Sequence, residues 1–297
     1  MGKGRLLQFS LLGLCVLIVI FTIWDNNRIK VIEQEIEIED LPQEFEGFKI
    51  LQISDLHEKT FGYKQERLIK KINSINYDVI ALTGDLLGNV DSENYSPAYD
   101  LLEGINNKEH MLFVPGNTDP NPYVVNSDRS ISKNPFILGM EGRGVQLLDS
   151  VYTVDKKNAS INFVNFDLSK LEPTSKLDNL EKNDLLVILN HYPIVDKRIE
   201  QINADSHFSF REYDLIIAGH YHGGQIRFPF VGALFIPEPF YSNNGLFPPQ
   251  DRVKGLWEYN GIKQYVSAGL GSSNAIPFLK FRFLNPPEIN LLILTKK

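Results

Sequence analysis

A series of apolar runs, each followed by polar side chains, constrains the fold of this chain more than any other feature. Apolar runs of about four to eight residues between turn residues are typical of buried strands. Segments with helical apolar spacing, Gln65 to Ile75 and Tyr95 to Ile105, separate the first three runs. Such alternation predicts βαβ units, so the sequence indicates an α/β fold with helices on the faces of a sheet. The runs with their polar ends are Phe48 to His57, Tyr77 to Asp85, Met111 to Asp119, Leu185 to His191 and Asp214 to His222.

The rest of the chain is less regular. At 297 residues it is long enough for one large α/β domain or two smaller ones, and one domain over residues 31–297 is the simplest organisation. Glu35 to Glu39 alternates acidic and apolar residues, which predicts a half-buried strand with one acidic solvent face. Asn121 to Arg143 predicts a long loop with one short helix. Three further strands, a polar linker and a helix are predicted at Gly144 to Leu148, Val151 to Val154, Ile161 to Phe166, Ser169 to Asp184 and Pro193 to Ile202.

The amino-terminal segment, residues 1–30, has a different character. From Leu6 to Trp24 the chain is apolar and uncharged, about the length that crosses a bilayer as one helix. Phe21 to Trp24 offers no small-residue cleavage site. We therefore expect an uncleaved single-pass anchor in the cell membrane, with a cleaved signal peptide as the alternative. Basic residues flank both ends of the span, so the positive-inside rule discriminates little, and we expect the domain outside the cytoplasm.

Charge and cysteine content exclude some classes of function. The formal net charge is -7 and the isoelectric point is near 5.5. Nonspecific affinity for nucleic acid comes mostly from Lys and Arg side chains that meet phosphates, so nucleic acid is not an expected partner. The single cysteine, Cys15, excludes an intramolecular disulfide framework and a multi-cysteine zinc site.

The polar ends of the predicted strands form a candidate site. Ligand sites of open α/β sheets form at the carboxyl ends of the strands. A single Asp or His there is more often a loop cap, but four of the six histidines in the chain lie at these ends. We expect His220 and His222 on extended backbone, where side chains at i and i+2 point to one face. Carboxylate, imidazole and amide ligands without thiolate suit Mn, Fe or Zn, so the sequence predicts a metal site.

These motifs match one family in order and spacing. The chain resembles the calcineurin-like metallophosphoesterases from Lys49 to the carboxyl terminus. Within that family, Gly219 to Arg227 and the tail Phe281 to Glu288 are similar to a bacterial membrane-anchored branch that includes enzymes splitting the pyrophosphate of UDP-diacylglucosamine. The resemblance implies a four-layer α/β/β/α sandwich of two mixed sheets, preceded by one transmembrane helix. The matched motifs are D-x-H at Asp55, G-D at Asp85, G-N-x-[DE] at Asn117, a single histidine at His191 and G-H-x-H at His220.

The resemblance also implies a pair of divalent metal ions, Mn, Fe or Zn. Two such cations carry about four positive charges against two carboxylates, so a phosphate group is the natural ligand. Metals about 3.5 to 4 Å apart lower the pKa of a bridging water and bind the phosphoryl oxygens, which implies hydrolysis by a metal-bridging hydroxide without a covalent intermediate. The implied ligand sets are Asp55, His57 and His222 for one cation, Asn117, His191 and His220 for the other, and Asp85 for both.

One motif departs from the family pattern. Where most members have G-N-H-[DE], this chain has threonine at Thr118, between Asn117 and Asp119. The family's histidine approaches the leaving group and the acidic residue orients it, so the resemblance makes these three positions catalytic candidates. General acid catalysis is worth about two to four orders of magnitude in rate, and threonine does not supply it near neutral pH. Either the leaving group departs without protonation, or activity is weak, and a noncatalytic metal-binding membrane scaffold is the alternative function.

The segment Phe228 to Tyr241 is dense in aromatic residues and proline. Its alternatives are a loop packed on the core and an apolar rim that contacts the membrane or a lipid tail. Asn89 and Arg227 are candidate contacts to phosphate or headgroup, with surface solvation as the alternative. Together these features predict a membrane-anchored two-metal phosphoesterase for a phosphodiester or pyrophosphate bond. The expected substrate is a phosphorylated, lipid-linked or nucleotide-linked small molecule, and the expected partner is the lipid bilayer.

Overall fold

A computed structural model describes residues 3–167, 184–204, 213–273 and 277–297. The predicted polar linker from Ser169 lies outside these residues up to Asp184, where a strand begins. The α-helices are α1 (Lys3–Asn26), α2 (Glu66–Ile72), α3 (Ser96–Gly104), α4 (Pro135–Glu141) and α5 (Asp196–Ala204). The strands in the first half are β1 (Lys30–Ile38), β2 (Lys49–Ile53), β3 (Val79–Leu82), β4 (Met111–Phe113), β5 (Tyr123–Val125), β6 (Ile131–Lys133), β7 (Val145–Leu147) and β8 (Tyr152–Lys156). Those in the second half are β9 (Ala159–Asn165), β10 (Asp184–Leu189), β11 (Leu215–Ala218), β12 (Arg227–Phe228), β13 (Gly232–Ala233), β14 (Gly255–Tyr259), β15 (Ile262–Val266) and β16 (Glu288–Lys296).

Two six-stranded mixed sheets form the body of the described chain. The first has the order β1-β16-β2-β3-β4-β7 and the second has the order β14-β15-β11-β10-β9-β8. Strands β2, β3, β4 and β7 are parallel to one another, as are β9, β10, β11 and β15. Antiparallel pairs occur where β16 joins β2 and where β14 and β8 close the second sheet. The parallel strands of each sheet therefore deliver their carboxyl ends to one edge.

The core lies in three layers of apolar contact. Between the sheets, Ile50 and Val79 of the first pack in one cluster with Ile161 and Val187 of the second. On the outer face of the first sheet, residues of β2 and β3 pack with α2, α3 and α4. On the outer face of the second sheet, residues of β10 and β11 pack with Ile199 of α5. This arrangement confirms the predicted four-layer α/β/β/α sandwich.

Most predicted elements are present, with bounds that differ by a few residues. Strand β1 shows the predicted alternation, since Ile36 and Ile38 are buried while Glu35 and Glu37 are exposed. The segment Asn121 to Arg143 differs from the prediction, because it contains an exposed hairpin, β5 with β6, before α4. A three-residue strand with every side chain exposed carries no burial pattern that sequence reading can detect.

Helix α1 stands apart from this core. Its segment Leu7–Asn26 is long and apolar enough to cross a membrane, and its apolar side chains are exposed. Its last turn nevertheless contacts the domain, where Asn26 Nδ2 donates to the Arg282 carbonyl at 2.6 Å and Arg282 N donates to Asn26 Oδ1 at 2.7 Å.

Candidate metal centre

The candidate site lies where the carboxyl ends of β2, β3 and β4 in one sheet meet those of β10 and β11 in the other. The residues at these ends leave the extended conformation at once, and several have positive φ, including Asp55 at 54°, Asp85 at 54° and His220 at 72°. The expectation of extended backbone for His220 and His222 is wrong. Strand β11 ends at Ala218, and His222 lies in a 3₁₀ turn with φ 51°. The turn separates the two imidazoles, so that they face different neighbours.

The first group of side chains that could hold a metal ion consists of Asp55, His57, Asp85 and His222, all of which are buried. The Nε2 atoms of His57 and His222 lie 3.2 Å apart. His57 Nε2 is 3.4 Å from Asp85 Oδ2, and His222 Nε2 is 3.7 Å from Asp55 Oδ1. One imidazole nitrogen from each histidine and one oxygen from each carboxylate therefore converge on a single point.

The second group consists of Asp85, His191 and His220. His191 Nε2 lies 3.1 Å from His220 Nδ1 and 3.1 Å from Asn117 Oδ1. His191 Nδ1 is 2.9 Å from the Thr83 carbonyl and donates its hydrogen there, and the His220 ring is hydrogen-bonded to the Pro237 carbonyl. Such bonds fix the tautomer and leave the other nitrogen as a ligand. Three acceptors thus face one another, and a cation between them satisfies all three, so the residues fit a metal ion.

Asp85 joins the two groups. Its Oδ2 is 3.4 Å from His57 Nε2 and 3.4 Å from His191 Nε2. Its Oδ1 accepts a hydrogen bond of 2.8 Å from the backbone N–H of Thr118, which fixes the carboxylate plane. One oxygen equidistant from both histidine groups is the geometry that a bridging ligand requires.

Burial and mutual charge strongly perturb these groups. Burial raises the pKa of Asp55 to about 7, and burial together with the charge of His191 lowers the pKa of His220 to about 3. Burial opposes a charge on His191, but Asp85 beside it raises the pKa of His191 to about 9. Opposed pKa shifts on adjacent buried groups are typical of functional sites.

Two glycines of the motifs permit this close approach. A Cβ on Gly84, which has φ +86°, would lie 2.5 Å from Gly116 N and 2.8 Å from His191 Nδ1. A Cβ on Gly219 would lie 2.0 Å from Ser54 Oγ and 2.6 Å from Asp55 Oδ2. Any side chain at either position would push ligand loops of the two sheets apart.

Asp119 and Thr118 hold the loops of the site. Asp119 is buried, and its carboxylate accepts hydrogen bonds from the backbone N–H groups of Leu86, Leu87 and Gly116 at 2.9, 3.1 and 2.9 Å. Thr118 Oγ1 donates to the Leu87 carbonyl at 2.8 Å. Both side chains therefore tie the Asn117 loop to the Asp85 loop, and Asp119 acts as a positioning residue.

Arg282 is a residue of the site that sequence reasoning missed. Its side chain is fully buried, and it donates to the carbonyls of Asn285, Gly271, Ala268 and His222 at 2.7, 2.6, 2.7 and 3.1 Å. Burial lowers the pKa of Arg282 to about 10. A single arginine in a polar tail carries no sequence signal of burial, although it lies in the tail that carries the family resemblance.

A cavity of about 380 Å³ opens above the two ligand groups. Neither Asn89 nor Arg227 is among the described residues that line this cavity. Asn89 is exposed, and its Oδ1 accepts from the Asp91 N–H, while Arg227 donates to the Gly223 carbonyl at 2.9 Å and lines a separate groove. The lining combines polar and apolar side chains, namely His57, Asp85, Asn117, Thr118, His220, His222, Ile226, Leu234, Phe235, Pro237 and Leu279.

The aromatic segment after β12 divides between core and surface. Ala233 and Ile236 are buried in a cluster with Tyr221, whereas Phe228 and Phe235 are exposed and Phe230 is fully exposed. Packing on the core therefore holds for part of the segment, and contact of the exposed part with a membrane or lipid tail stays a prediction.

Two facing sheets with joined carboxylate and histidine groups at their common edge form a candidate binuclear metal site of the kind that metal-dependent hydrolases use. The calcineurin-like phosphoesterase family model matches residues 48–224, and the chain belongs to that family. The chain is thus a metal-dependent phosphoester hydrolase, which confirms the family and enzyme class expected from the motifs.

Relatives of this family match along most of the chain. The uncharacterized metallophosphoesterase YkuE of Bacillus subtilis is 27% identical over 280 residues, which cover 91% of this chain and 87% of that protein. The UDP-2,3-diacylglucosamine pyrophosphatase LpxG of Chlamydia muridarum is 24% identical over 296 residues, covering 85% and 86%. A transmembrane protein with metallophosphoesterase domain from Danio rerio is 24% identical over 251 residues, covering 81% of this chain and 55% of that protein.

Proposed function

We propose that the protein is a membrane-anchored two-metal phosphoesterase that hydrolyses a phosphodiester or pyrophosphate bond in an amphiphilic substrate. The observation that carries this proposal is the cavity of about 380 Å³, in which the ligand groups lie beside apolar side chains of Ile226, Leu234, Phe235 and Leu279. A small, fully polar phosphate ester has no apolar part that could contact these walls. Apolar walls next to a phosphate site suit a substrate with a lipid-linked or nucleotide-linked part.

The proposed division of the ligands follows the family resemblance and is supported by the two groups of adjacent side chains. Bound there, two divalent cations such as Mn, Fe or Zn supply an activated water and stabilise charge on the phosphoryl oxygens. The chain contributes a short, rigid ligand set, because backbone carbonyls orient His191 and His220 and a backbone N–H orients Asp85. Asp55, His57 and His222 would hold one cation, Asn117, His191 and His220 the other, and Asp85 both.

The leaving group receives little protonation from the chain. The Thr118 hydroxyl donates to the Leu87 carbonyl, and Asp119 is held by three backbone N–H groups. Neither side chain is free to deliver a proton into the cavity. The proposed substrate therefore loses a group that departs as a stable anion, such as a phosphate ester or an aryl oxide.

A lipid-linked substrate is favoured by what surrounds the cavity. The exposed aromatic side chains of Phe228, Phe230 and Phe235 follow directly on the metal-ligand loop, and aromatic residues are enriched at the membrane interface. Helix α1, with its apolar surface exposed, ends against Arg282 of the tail and Lys59 of the loop that carries His57. The name of the LpxG relative, a UDP-2,3-diacylglucosamine pyrophosphatase, supports a lipid-linked pyrophosphate. The orientation of the domain outside the cytoplasm stays a prediction.

The experiment that tests this proposal uses the full chain in detergent. Turnover of a bis-aryl phosphodiester and of an aryl phosphomonoester is compared with and without added Mn, after treatment with a chelator. We expect Mn-dependent turnover that favours the diester. Incubation with membrane lipid extract, followed by identification of the lipid that disappears, tests the substrate class. Two bound metals without turnover of either ester would falsify the catalytic claim.

A further inference from the structure

A second cavity, of about 440 Å³, lies between the last turn of α1 and the loop that follows β2. It shares His57 with the metal-ligand groups and is therefore adjacent to them. The rest of its wall comes from the end of α1 and from the tail before β16. The lining residues that matter here are Ile23 and Asn26 of α1, Lys59 of the β2 loop, and Lys280 and Phe281 of the tail.

The lining of the cavity carries two amino side chains, Lys59 and Lys280, and one carboxylate, Glu58. Within residues 3–167, 184–204, 213–273 and 277–297, no carboxylate oxygen lies within 4.0 Å of Lys59 Nζ or Lys280 Nζ. The one carboxylate in the lining, Glu58, is engaged elsewhere, because it accepts from Gly88 N at 2.9 Å, Ser92 Oγ at 2.5 Å and Asn94 Nδ2 at 3.2 Å. The negative charge of Glu58 still acts on Lys280, so the lining keeps two basic side chains against one carboxylate, and this excess favours an anion.

The position of the cavity along α1 indicates which kind of anion it would bind. The apolar run of α1 ends at Trp24, one residue before Asp25, and the cavity begins at Thr22 and Ile23. Lys59 Nζ donates to the Asn26 carbonyl at 2.6 Å, which places this ammonium at the helix end. In a bilayer this is the level of the lipid headgroups, where Lys and Arg side chains attract anionic lipids.

We infer that this cavity binds the phosphate group of an anionic bilayer lipid. Lys280 and Lys59 would contact the phosphate, while Ile23 and Phe281 would contact the adjoining glycerol and acyl carbons. The inference rests on the membrane anchoring of the proposed function but does not require turnover. The cavity would hold a lipid headgroup beside His57, at the edge of the metal centre.

The test measures which lipid lies next to Trp24. The chain has two tryptophans, so Trp257→Phe leaves Trp24 as the single fluorophore. The variant, loaded with Mn, is reconstituted in phosphatidylcholine vesicles with a minor fraction of phosphatidylglycerol. The acyl chains of one or the other lipid are brominated to quench Trp24. The same comparison in the chain with both tryptophans, where Trp257 adds a constant background, covers the case that Trp257→Phe does not fold.

We expect brominated phosphatidylglycerol to quench Trp24 beyond its share of the vesicle. Lys280→Gln should lower the preference for phosphatidylglycerol over phosphatidylcholine about fivefold, the effect of one lysine near an anionic surface. The matched control Lys70→Gln, which removes the same charge from the exposed face of α2, should leave the preference unchanged.

Equal quenching by the two lipids, or an equal preference in both lysine variants, would overturn the inference. Added inorganic phosphate that abolishes the excess quenching would also overturn it, since the cavity would then take free phosphate rather than a headgroup. Because no outcome depends on catalysis, a chain that hydrolyses phosphodiesters without lipid preference refutes only this inference. A chain with the preference but no turnover refutes only the catalytic proposal.

Discussion

Replacement of Arg282 by methionine tests whether one buried side chain holds the metal-ligand loop of His222. The guanidinium donates to four backbone carbonyls at 2.6 to 3.1 Å, and the side chain is fully buried. Methionine fills most of the volume but donates to none of these carbonyls. The substitution therefore removes hydrogen bonds with little change in packing.

The expected loss of stability follows from these bonds. Each buried carbonyl left without a donor costs about 1 kcal/mol net after relaxation, and removal of one partner from a buried charged network costs about 3 to 5 kcal/mol. We expect Arg282→Met to lower the free energy of unfolding by about 3 to 5 kcal/mol, against a typical total of about 5 to 15 kcal/mol. The His222 carbonyl keeps one donor, because Asn285 Nδ2 lies 2.7 Å from it, so the loop should loosen without unfolding.

The assay is urea unfolding of the full chain in detergent, followed by far-ultraviolet circular dichroism. With a denaturant slope of about 2 to 3 kcal/mol per molar urea, the midpoint should fall by about 1 to 2 M. Arg198→Met is the matched control, because Arg198 is an exposed arginine on α5, and exposed substitutions change stability by less than about 0.5 kcal/mol. An equal midpoint for the two variants would refute the reasoning.

Four further predictions concern the site and the helix. Thr118→His should raise turnover of alkyl esters about tenfold or more relative to aryl esters, since a general acid is worth more for poor leaving groups; Thr118→Val is the control, and no change in the alkyl-to-aryl ratio contradicts the acid argument. Asp119→Ala should cost about 2 to 4 kcal/mol in urea unfolding because three backbone N–H groups lose their acceptor; a loss of turnover at unchanged stability would show a direct catalytic role instead. Asn26→Ala should lower stability by about 1 to 2 kcal/mol, whereas Asn27→Ala, at an exposed contact to Arg67, should have little effect; equal effects would argue against docking of α1. Removal of metal by a chelator should lower the thermal midpoint by about 5 °C or more, because ligands that bind only the folded state stabilise it, and Mn should restore it; an unchanged midpoint with metal demonstrably removed contradicts the proposed ligand set.

The sequence pattern alone was sufficient for the fold class, and the family resemblance implied the sandwich of two sheets. The apolar runs and helical spacing from Phe48 to Asp119 predict βαβ units because burial on both faces of a parallel strand requires a continuous apolar run. The polar residues that follow each run predict a site because parallel strands deliver their carboxyl ends to one edge. The residue types that can bind a metal and the spacing of apolar residues are both properties of residues close together in the chain, so the sequence shows them directly.

Only the tertiary structure decided how the loops of the site are held. A 3₁₀ turn with positive φ at His222 replaces the extended backbone expected for His220 and His222. The Asp119 carboxylate accepts hydrogen bonds from three backbone N–H groups, and the Arg282 guanidinium donates to four backbone carbonyls. The Asn26 side chain bonds to a residue 256 positions away. Such roles depend on which distant backbone groups lie without a partner after the sheets have packed, and no local pattern of residue types carries that information.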